Sequence, residues 1–435
     1  MRVHLISPRS PIEGATKRDK AIQFSRLSLV TVAALFPEDT EVQIINDSID
    51  TIDFDQKVDL VGITSMTSTA PRAYEIADRF REKGVPVILG GFHVTALPQE
   101  ASSHADAVVM GEAEGVMHNV INDFQIGKLK KFYRATEMPS LVGLPLPRWN
   151  LLNGSKYYDE VNMVQTTRGC PFNCAFCSVT DFYGRTYRTR PIPEVIREIK
   201  QLRNRTIIFF VDDNIAGRPV YAKKLFKALI PLNIKWFGQG SVLIAKDREL
   251  LELAARSGCL GLFIGFESLS SNNLRQVGKA TNNVRNYSTA IKKIHDSGIG
   301  IVGAFIFGLD SDDDGVFEET VRFIENNQLE LASFAILTPL PGTRLFKSMK
   351  EQGRIIEDDW AKYTLGEVVF RPKLLTVDQL QDGYNWARKH MSSYSSILLR
   401  TLHFRKTALL SLPLNMLMRK SSRKFLKNAR ALQKA

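Results

Sequence analysis

The sequence predicts an α/β protein with two parallel sheets in tandem and a helical, basic C-terminal extension. Three observations carry that expectation. Residues 1–135 alternate short apolar runs with segments of helical periodicity, the rhythm of βαβ units. A second and longer series of the same kind begins at residue 162 and repeats six times. From Arg400 to Ala435 there are ten Lys and Arg and no Asp or Glu, so the basic character is concentrated at one end.

In the first series, strands are expected at 3–7, 41–46, 60–64, 85–89 and 107–110, and helices at 25–36 and 73–83. A closing helix and connector are expected over 115–135. In an open parallel sheet, ligands sit beyond the carboxyl ends of the strands. Thr64, Ser65, Gly90, Gly91, His93, Gly111 and Glu112 fall at those ends. The proline-punctuated stretch 139–149, which ends on Trp149, reads as an ordered linker. The expected organisation is 1–135, a linker over 136–160, a core over 161–345, and a closing region with the basic tail over 346–435.

The second series places strands at 162–167, 206–211, 234–238, 261–266, 299–307 and 332–337, with helices among them at 193–202, 221–229, 248–255, 283–296 and 316–326. Six such units make a partial (β/α)6 barrel, and polar residues gather where a barrel active site requires them. Asp213 with Asn214, Gln239, Glu267 and Gly308 all follow strands, while Gly303 lies within one. Asp312 to Asp314 read as caps for the helix at 316. Residues 360–371 are expected to form a strand or lid, and 377–390 a helix closing the barrel.

The chemistry is carried by Cys170, Cys174 and Cys177, a CxxxCxxC triplet delivered by the first strand of the second series, with aromatic Phe176 before the last cysteine. Thiolates are the soft ligands that iron–sulfur clusters take. Structural zinc takes four ligands in separated pairs, and there is no second pair here. A disulfide framework needs an even, dispersed set in a small secreted chain. Cys259, the fourth cysteine, sits in a helix-to-strand turn and reads as core packing.

The triplet resembles the signature of the radical S-adenosylmethionine (SAM) enzymes, in which three cysteines hold a [4Fe–4S] cluster whose free iron binds SAM. That resemblance implies Cys170, Cys174 and Cys177 as cluster ligands, and Phe176, Asp213, Gln239, Glu267 and Gly303 at the SAM site. It also implies reductive cleavage of SAM to a 5′-deoxyadenosyl radical that abstracts hydrogen from substrate. The first series resembles the Rossmann-like cobalamin (B12)-binding domain fused to many such enzymes. The match lies in Val61-Gly62-Ile63-Thr64-Ser65, Leu89-Gly90-Gly91-Phe92-His93-Val94-Thr95 and Val109-Met110-Gly111-Glu112-Ala113-Glu114. No DxHxxG occurs, so no histidine of that kind reaches cobalt from below. Taken alone, His93 is more often a loop or core histidine than a ligand, and its Gly90-Gly91-Phe92-His93 context is what raises it.

Together these resemblances cover residues 1–345 and imply cobalamin-dependent C-methylation of an unactivated carbon on an apolar or lipid-like substrate. Radical rearrangement, cyclisation or carbon–carbon coupling is the alternative within the class, and a non-catalytic cobalamin- or SAM-binding module the alternative outside it. A tRNA methylthiotransferase would carry further cluster cysteines in the first series, which has none. An external electron donor such as a flavodoxin or ferredoxin is implied.

The net charge is +12, of which the tail supplies +10, leaving about +2 for the body. Apolar residues interleaved with the tail's basic ones favour peripheral membrane contact through 397–435 over nucleic acid. No leader-like opening or run of about 18 apolar residues is present, so a cytoplasmic protein is expected, peripheral on the inner face of the membrane.

Overall fold

A computed structural model describes residues 1–11, 26–152, 161–202, 207–279, 281–401, 407, 411–420 and 422. The first sheet contains β1 (Arg2–Ser7), β2 (Glu41–Asn46), β3 (Leu60–Thr64), β4 (Val87–Gly90), β5 (Ala107–Met110) and β6 (Phe132–Arg134). They lie in the order β2-β1-β3-β4-β5-β6, and every pairing is parallel. Both faces are buried, which explains why these strands read as near-continuous apolar runs. Ile6, Val61, Ile63 and Leu89 pack under the helix Ala70–Glu82, while Val3, Leu5, Ile88 and Val109 pack on the other side against Val30, Val120 and Ile121. β6 was not expected: three residues at a sheet edge carry too little periodicity to stand out within 115–135.

The second sheet is built from β7 (Asn162–Val164), then, after the short ladder β8 (Thr167–Arg168) with β9 (Arg188–Thr189), β10 (Ile207–Phe210), β11 (Lys235–Gly240), β12 (Cys259–Glu267), β13 (Gly300–Phe307) and β14 (Leu331–Ile336). Its order is β14-β13-β12-β11-β10-β7, all parallel, the open six-stranded barrel wall the sequence predicts. The expected strand 162–167 is broken. After Val164 the chain leaves the wall, and β8 pairs antiparallel with β9. Buried Asp212 enforces the break, because its Oδ1 accepts from the backbone N–H and hydroxyl of both Thr166 and Thr167.

Outward-facing aromatics form the barrel core. Phe266 meets Tyr287 and Phe305, Phe305 meets Phe323, and Phe307 meets Phe317, so alternate residues of β12 and β13 face the helix layer. Register then puts Phe263, Gly265, Val302, Ala304, Ile306, Ser333 and Ala335 on the inner face. Gly303, expected at the SAM site, directs its Cβ position to the outer face. A Cβ there would lie 2.7 Å from Leu329 and 3.0 Å from the Phe305 ring, so its glycine leaves room for outer-face packing. Asp312 is also placed differently from the expected cap. It is buried, accepts from the N–H groups of Gly308 and Leu309 and from Asn273 Nδ2, and closes the turn after β13.

Residues 360–371 form a short 3₁₀ turn (Trp360–Lys362) and an isolated bridge between Ile355 and Phe370 rather than a full strand. The helix Val377–Met391 follows, with Thr376 and Gln379 making a capping box. Among the described residues, no helix is long and apolar enough to cross a membrane.

Candidate active site

The cysteine loop leaves β8 at Arg168 and is gripped from three sides. Gly169 has φ +85°, and a side chain there would strike the Thr186 carbonyl, so only glycine lets the loop turn into Cys170. Asp213 Oδ2 accepts from the Gly169 N–H at 3.1 Å, and the Ala175 N–H donates to the Val277 carbonyl at 2.8 Å. From beyond β14, Arg344 donates to the Asn173 carbonyl at 2.6 Å, and the Leu345 N–H donates to the Ala175 carbonyl at 3.0 Å. Two carboxylates thus prepare the loop, Asp212 by ending the strand and Asp213 by holding the first turn. Burial raises both, each to about 6.

Cys170, Cys174 and Cys177 are free thiols, and burial pushes all three up, Cys177 to about 12. As thiols they gain nothing from that placement, whereas coordination to metal would deprotonate them outright. Among the described residues, no three His, Cys, Asp or Glu side chains converge on a single ion. The donor set, three soft thiols on one loop, would suit a cluster rather than a mononuclear site.

Glu267 stands beside this loop. A register shift between Gly265 and Glu267 re-aims the end of β12, leaving Glu267 at φ +66°, a conformation that costs a non-glycine residue about 1 kcal/mol or more. Its carboxylate pairs with Lys279, and both side chains are nearly buried. A Cβ on Gly265 would collide with the Glu267 carboxylate and lie 2.8 Å from Lys279 Nζ, so that glycine makes room for the pair. Burial alone would lower Lys279, but Glu267 and the Cys174 and Cys177 sulfurs more than offset it and keep it protonated. Sequence reasoning missed Lys279. The available signal was the adjacent Gly278, whose φ of +75° and close approach to the Asn173 carbonyl leave no room for a side chain. Gln239 lies on the inner barrel face, its register partner being Phe263, and Phe176 is half-buried against the barrel core.

Opposite the barrel mouth lie the carboxyl ends of the first sheet. The Ser65 N–H donates to the Gly90 carbonyl at 2.9 Å, and Gly91 has φ +108°. A Cβ at Gly91 would lie 2.6 Å from the Ser65 carbonyl oxygen, so the loops after β3 and β4 touch only because position 91 is glycine. Thr64 ends β3 beside Gly91, and the Gly111 N–H donates to Thr95 Oγ1 at 2.9 Å. Phe92 stacks on Phe182 of the helix Ser178–Tyr183, which starts directly after Cys177, with ring centres 4.2 Å apart.

Two expected cobalamin residues have other work. Glu112 is buried across the seam, taken by Arg168 at 2.5 Å and by Arg188, while Glu114 takes the other arm of Arg168 at 2.5 Å. His93 has no exposed side chain. Its Nε2 lies 3.0 Å from Glu100, whose carboxylate also accepts from Tyr74 and from Trp360 Nε1. Burial lowers His93, so the ring is neutral and bears its proton on Nε2, toward Glu100. The pairing of Arg168 and Arg188 with Glu112 and Glu114 carried no sequence signal, because it spans 54 to 76 residues.

Comparison with known proteins settles the class. The Radical SAM superfamily profile matches residues 164–324, and the B12 binding domain profile matches residues 23–121. Bacteriochlorophyllide d C-12(1)-methyltransferase of Chlorobaculum tepidum is 34% identical over 406 residues, covering 91% of this chain and 88% of the relative. The chain belongs to the B12-binding radical SAM methyltransferases. The C-8(2)-methyltransferase of the same organism is 31% identical, covering 87% of each chain. The fold is shared with the cobalamin-dependent radical SAM enzyme OxsB with aqua-cobalamin and SAM bound, at TM-score 0.71 and 16% identity over 90% of this chain and 66% of that one. It is shared too with the methyltransferase TsrM from Kitasatospora setae, at TM-score 0.66 and 17% identity over 81% and 75%. This radical SAM methyltransferase therefore uses a [4Fe–4S] cluster, SAM and cobalamin.

Proposed function

We propose that this enzyme methylates an unactivated carbon of a large, apolar, ring-bearing small molecule, with the chlorophyllide class of macrocycle as first choice. The supporting observation is the inner barrel face. Phe209, Phe237, Phe263, Val302, Ala304 and Ile306 line it, with Gln239 and Ser333 the polar exceptions and the Glu267–Lys279 pair at its end. Such a surface offers contact area and little charge recognition, which suits a flat apolar ligand. Two relatives at 34% and 31% identity act, by their names, on bacteriochlorophyllide d.

Cys170, Cys174 and Cys177 hold the cluster in this reading. Once bound, the cluster and SAM supply a carbon radical on the substrate, and cobalamin supplies the methyl group. The chain's residues contribute placement. Asp212 and Asp213 fix the cysteine loop, and Lys279 keeps a positive charge beside it. Glu267, held off its own backbone by Gly265, is the carboxylate available to SAM hydroxyls. The Phe92–Phe182 stack and the Arg168–Glu112–Arg188 network close the seam between the two sheets against water. An external flavodoxin or ferredoxin delivers the electron, and the tail makes peripheral membrane contact.

The test uses anaerobically reconstituted enzyme with cobalamin, methyl-labelled SAM, a reductant and bacteriochlorophyllide. One labelled methyl in the macrocycle, dependent on the three cysteines, supports the reading. 5′-Deoxyadenosine formation with an altered but unmethylated macrocycle would replace it with rearrangement or cyclisation.

A further inference from the structure

The C-terminal helices have inverted polarity. In the helix Tyr394–Thr401, three of the four buried residues are polar, Ser396, Arg400 and Thr401 beside Ile397, whereas Leu398 and Leu399 are 47% and 51% exposed. In the helical residues 411–420, Ser411 and Asn415 are buried, whereas Leu412, Met416, Leu417 and Met418 are each 40–43% exposed. A helix on a globular surface ordinarily does the reverse.

Three of the inward polar groups converge on one place, while Ser396 and Thr401 bond locally to Met391 Sδ and the Ile397 carbonyl. Thr407 donates to Glu330 Oε1 at 2.7 Å, and Asn415 donates to the Glu330 carbonyl at 3.0 Å. Arg400 donates to the same carbonyl at 2.8 Å and to Asn415 Oδ1 at 3.1 Å. Glu330 itself is buried, with His295 Nε2 at 3.1 Å and the Ile301 N–H at 2.8 Å. This polar hub fixes which side of the tail faces the barrel, and so forces the leucines and methionines outward. Glu330 immediately precedes β14, and Gly300, at the start of β13, lies against Thr407. The described tail residues therefore lie against the amino ends of β13 and β14, opposite the mouth that holds the cysteine loop.

We propose that this outward face is a docking surface for an anionic lipid bilayer, and that it anchors the enzyme with the barrel mouth turned away from the membrane. The proposal rests on the membrane contact in the functional reading and adds its surface and orientation. The occupant follows from charge. In sequence the exposed apolar residues are interleaved with nine Lys and Arg between Arg405 and Ala435, Arg400 being buried in the hub, with no acidic residue. That combination matches a hydrocarbon boundary lined with negative headgroups. In this geometry the tail is an anchor and not a port: an apolar substrate reaches the mouth from the far side.

The test is flotation of the holoenzyme with phosphatidylcholine vesicles, with and without phosphatidylglycerol, against the variant Leu412→Glu/Met416→Glu/Leu417→Glu. All three positions are exposed, so the fold should survive. The expected result is binding to anionic vesicles only, weakened by salt and reduced about tenfold or more in the variant. Equal binding by the variant, no vesicle binding, or wild-type self-association that the variant abolishes would each overturn the proposal, the last assigning the face to a second copy. Nucleic-acid binding in place of vesicle binding would also overturn it. Orientation is read from an environment-sensitive dye on Leu417→Cys or on Leu365→Cys, whose backbone carbonyl meets Ile336 at the mouth end of β14. A vesicle-induced blue shift at 417 alone is expected, and a shift at 365 overturns the orientation. Methyl transfer to detergent-solubilised macrocycle needs no vesicles, so failure of the anchor and failure of the substrate reading are separable.

Discussion

Replacing Glu112 with alanine tests whether the two halves are coupled by charge. The Glu112 side chain is 2% exposed and faces Arg168 at 10% and Arg188 at 18% exposure. Without it, Arg188 keeps only the Pro139 carbonyl at 2.7 Å, while Arg168 keeps Glu114 and Gln165. Removing one member of a buried ion pair costs about 3–5 kcal/mol, and the surviving Glu114 contact places this case at about 3. Because the network lies at a seam, the loss should appear as local opening rather than global unfolding. About 3 kcal/mol is a factor of roughly 150 in opening equilibrium. Amide hydrogen exchange at Gly111 and Gly169, both hydrogen-bonded beside the seam, should accelerate by that order in the holoenzyme. Exchange within about threefold of wild type would refute the coupling. Weaker cobalamin binding with unchanged exchange would return Glu112 to the cofactor role its position after β5 suggests.

Other outcomes follow from single contacts. Asp212 is raised to about 6 by burial, against an unfolded value near 3.8, so its contribution to stability is full below about pH 4 and is lost as pH rises through 6. Denaturation from pH 5 to 8 should show wild type losing about 1.4 kcal/mol relative to Asp212→Asn, the share of the loss that falls above pH 5; parallel profiles would refute the assignment. Gly91→Ala meets the Ser65 carbonyl at 2.6 Å on a backbone at φ +108°, and should lower stability by roughly 2–4 kcal/mol and weaken cobalamin retention; a neutral result would mean the loops after β3 and β4 do not touch. Glu100→Ala leaves Tyr74, His93 and Trp360 without their shared acceptor, so Trp360 emission should shift and exchange over 360–363 should rise about tenfold or more; unchanged emission would refute the contact.

What the sequence made legible was local. The cysteine triplet needs only an eleven-residue stretch from Thr167 to Cys177, and Glu267 is named by the end of its own strand. The wall strands β10 to β14 are apolar runs whose periodicity survives in the fold. What was hidden depends on distant partners. Arg168 and Arg188 look like ordinary loop charges until the seam brings Glu112 and Glu114 to them. Lys279 acquires meaning only from the bulge that turns Glu267 toward it. Gly303 sits in a strand whose inner and outer faces the sequence does not label, and the aromatic layer decides that it faces outward. The tail's apolar content was visible, but its direction was not, since the Glu330 hub alone determines which face is left over.

Three cysteines holding a cluster opposite a cobalamin-binding sheet are the basis of the chemistry. Iron and cobalt content after anaerobic reconstitution with cobalamin tests it most directly, on wild type beside Cys170→Ala/Cys174→Ala/Cys177→Ala. Wild type should hold about four irons and stoichiometric cobalt per chain, and the variant should hold cobalt without iron. Iron retained by the variant, or a wild type that binds iron and no cobalamin, would contradict it.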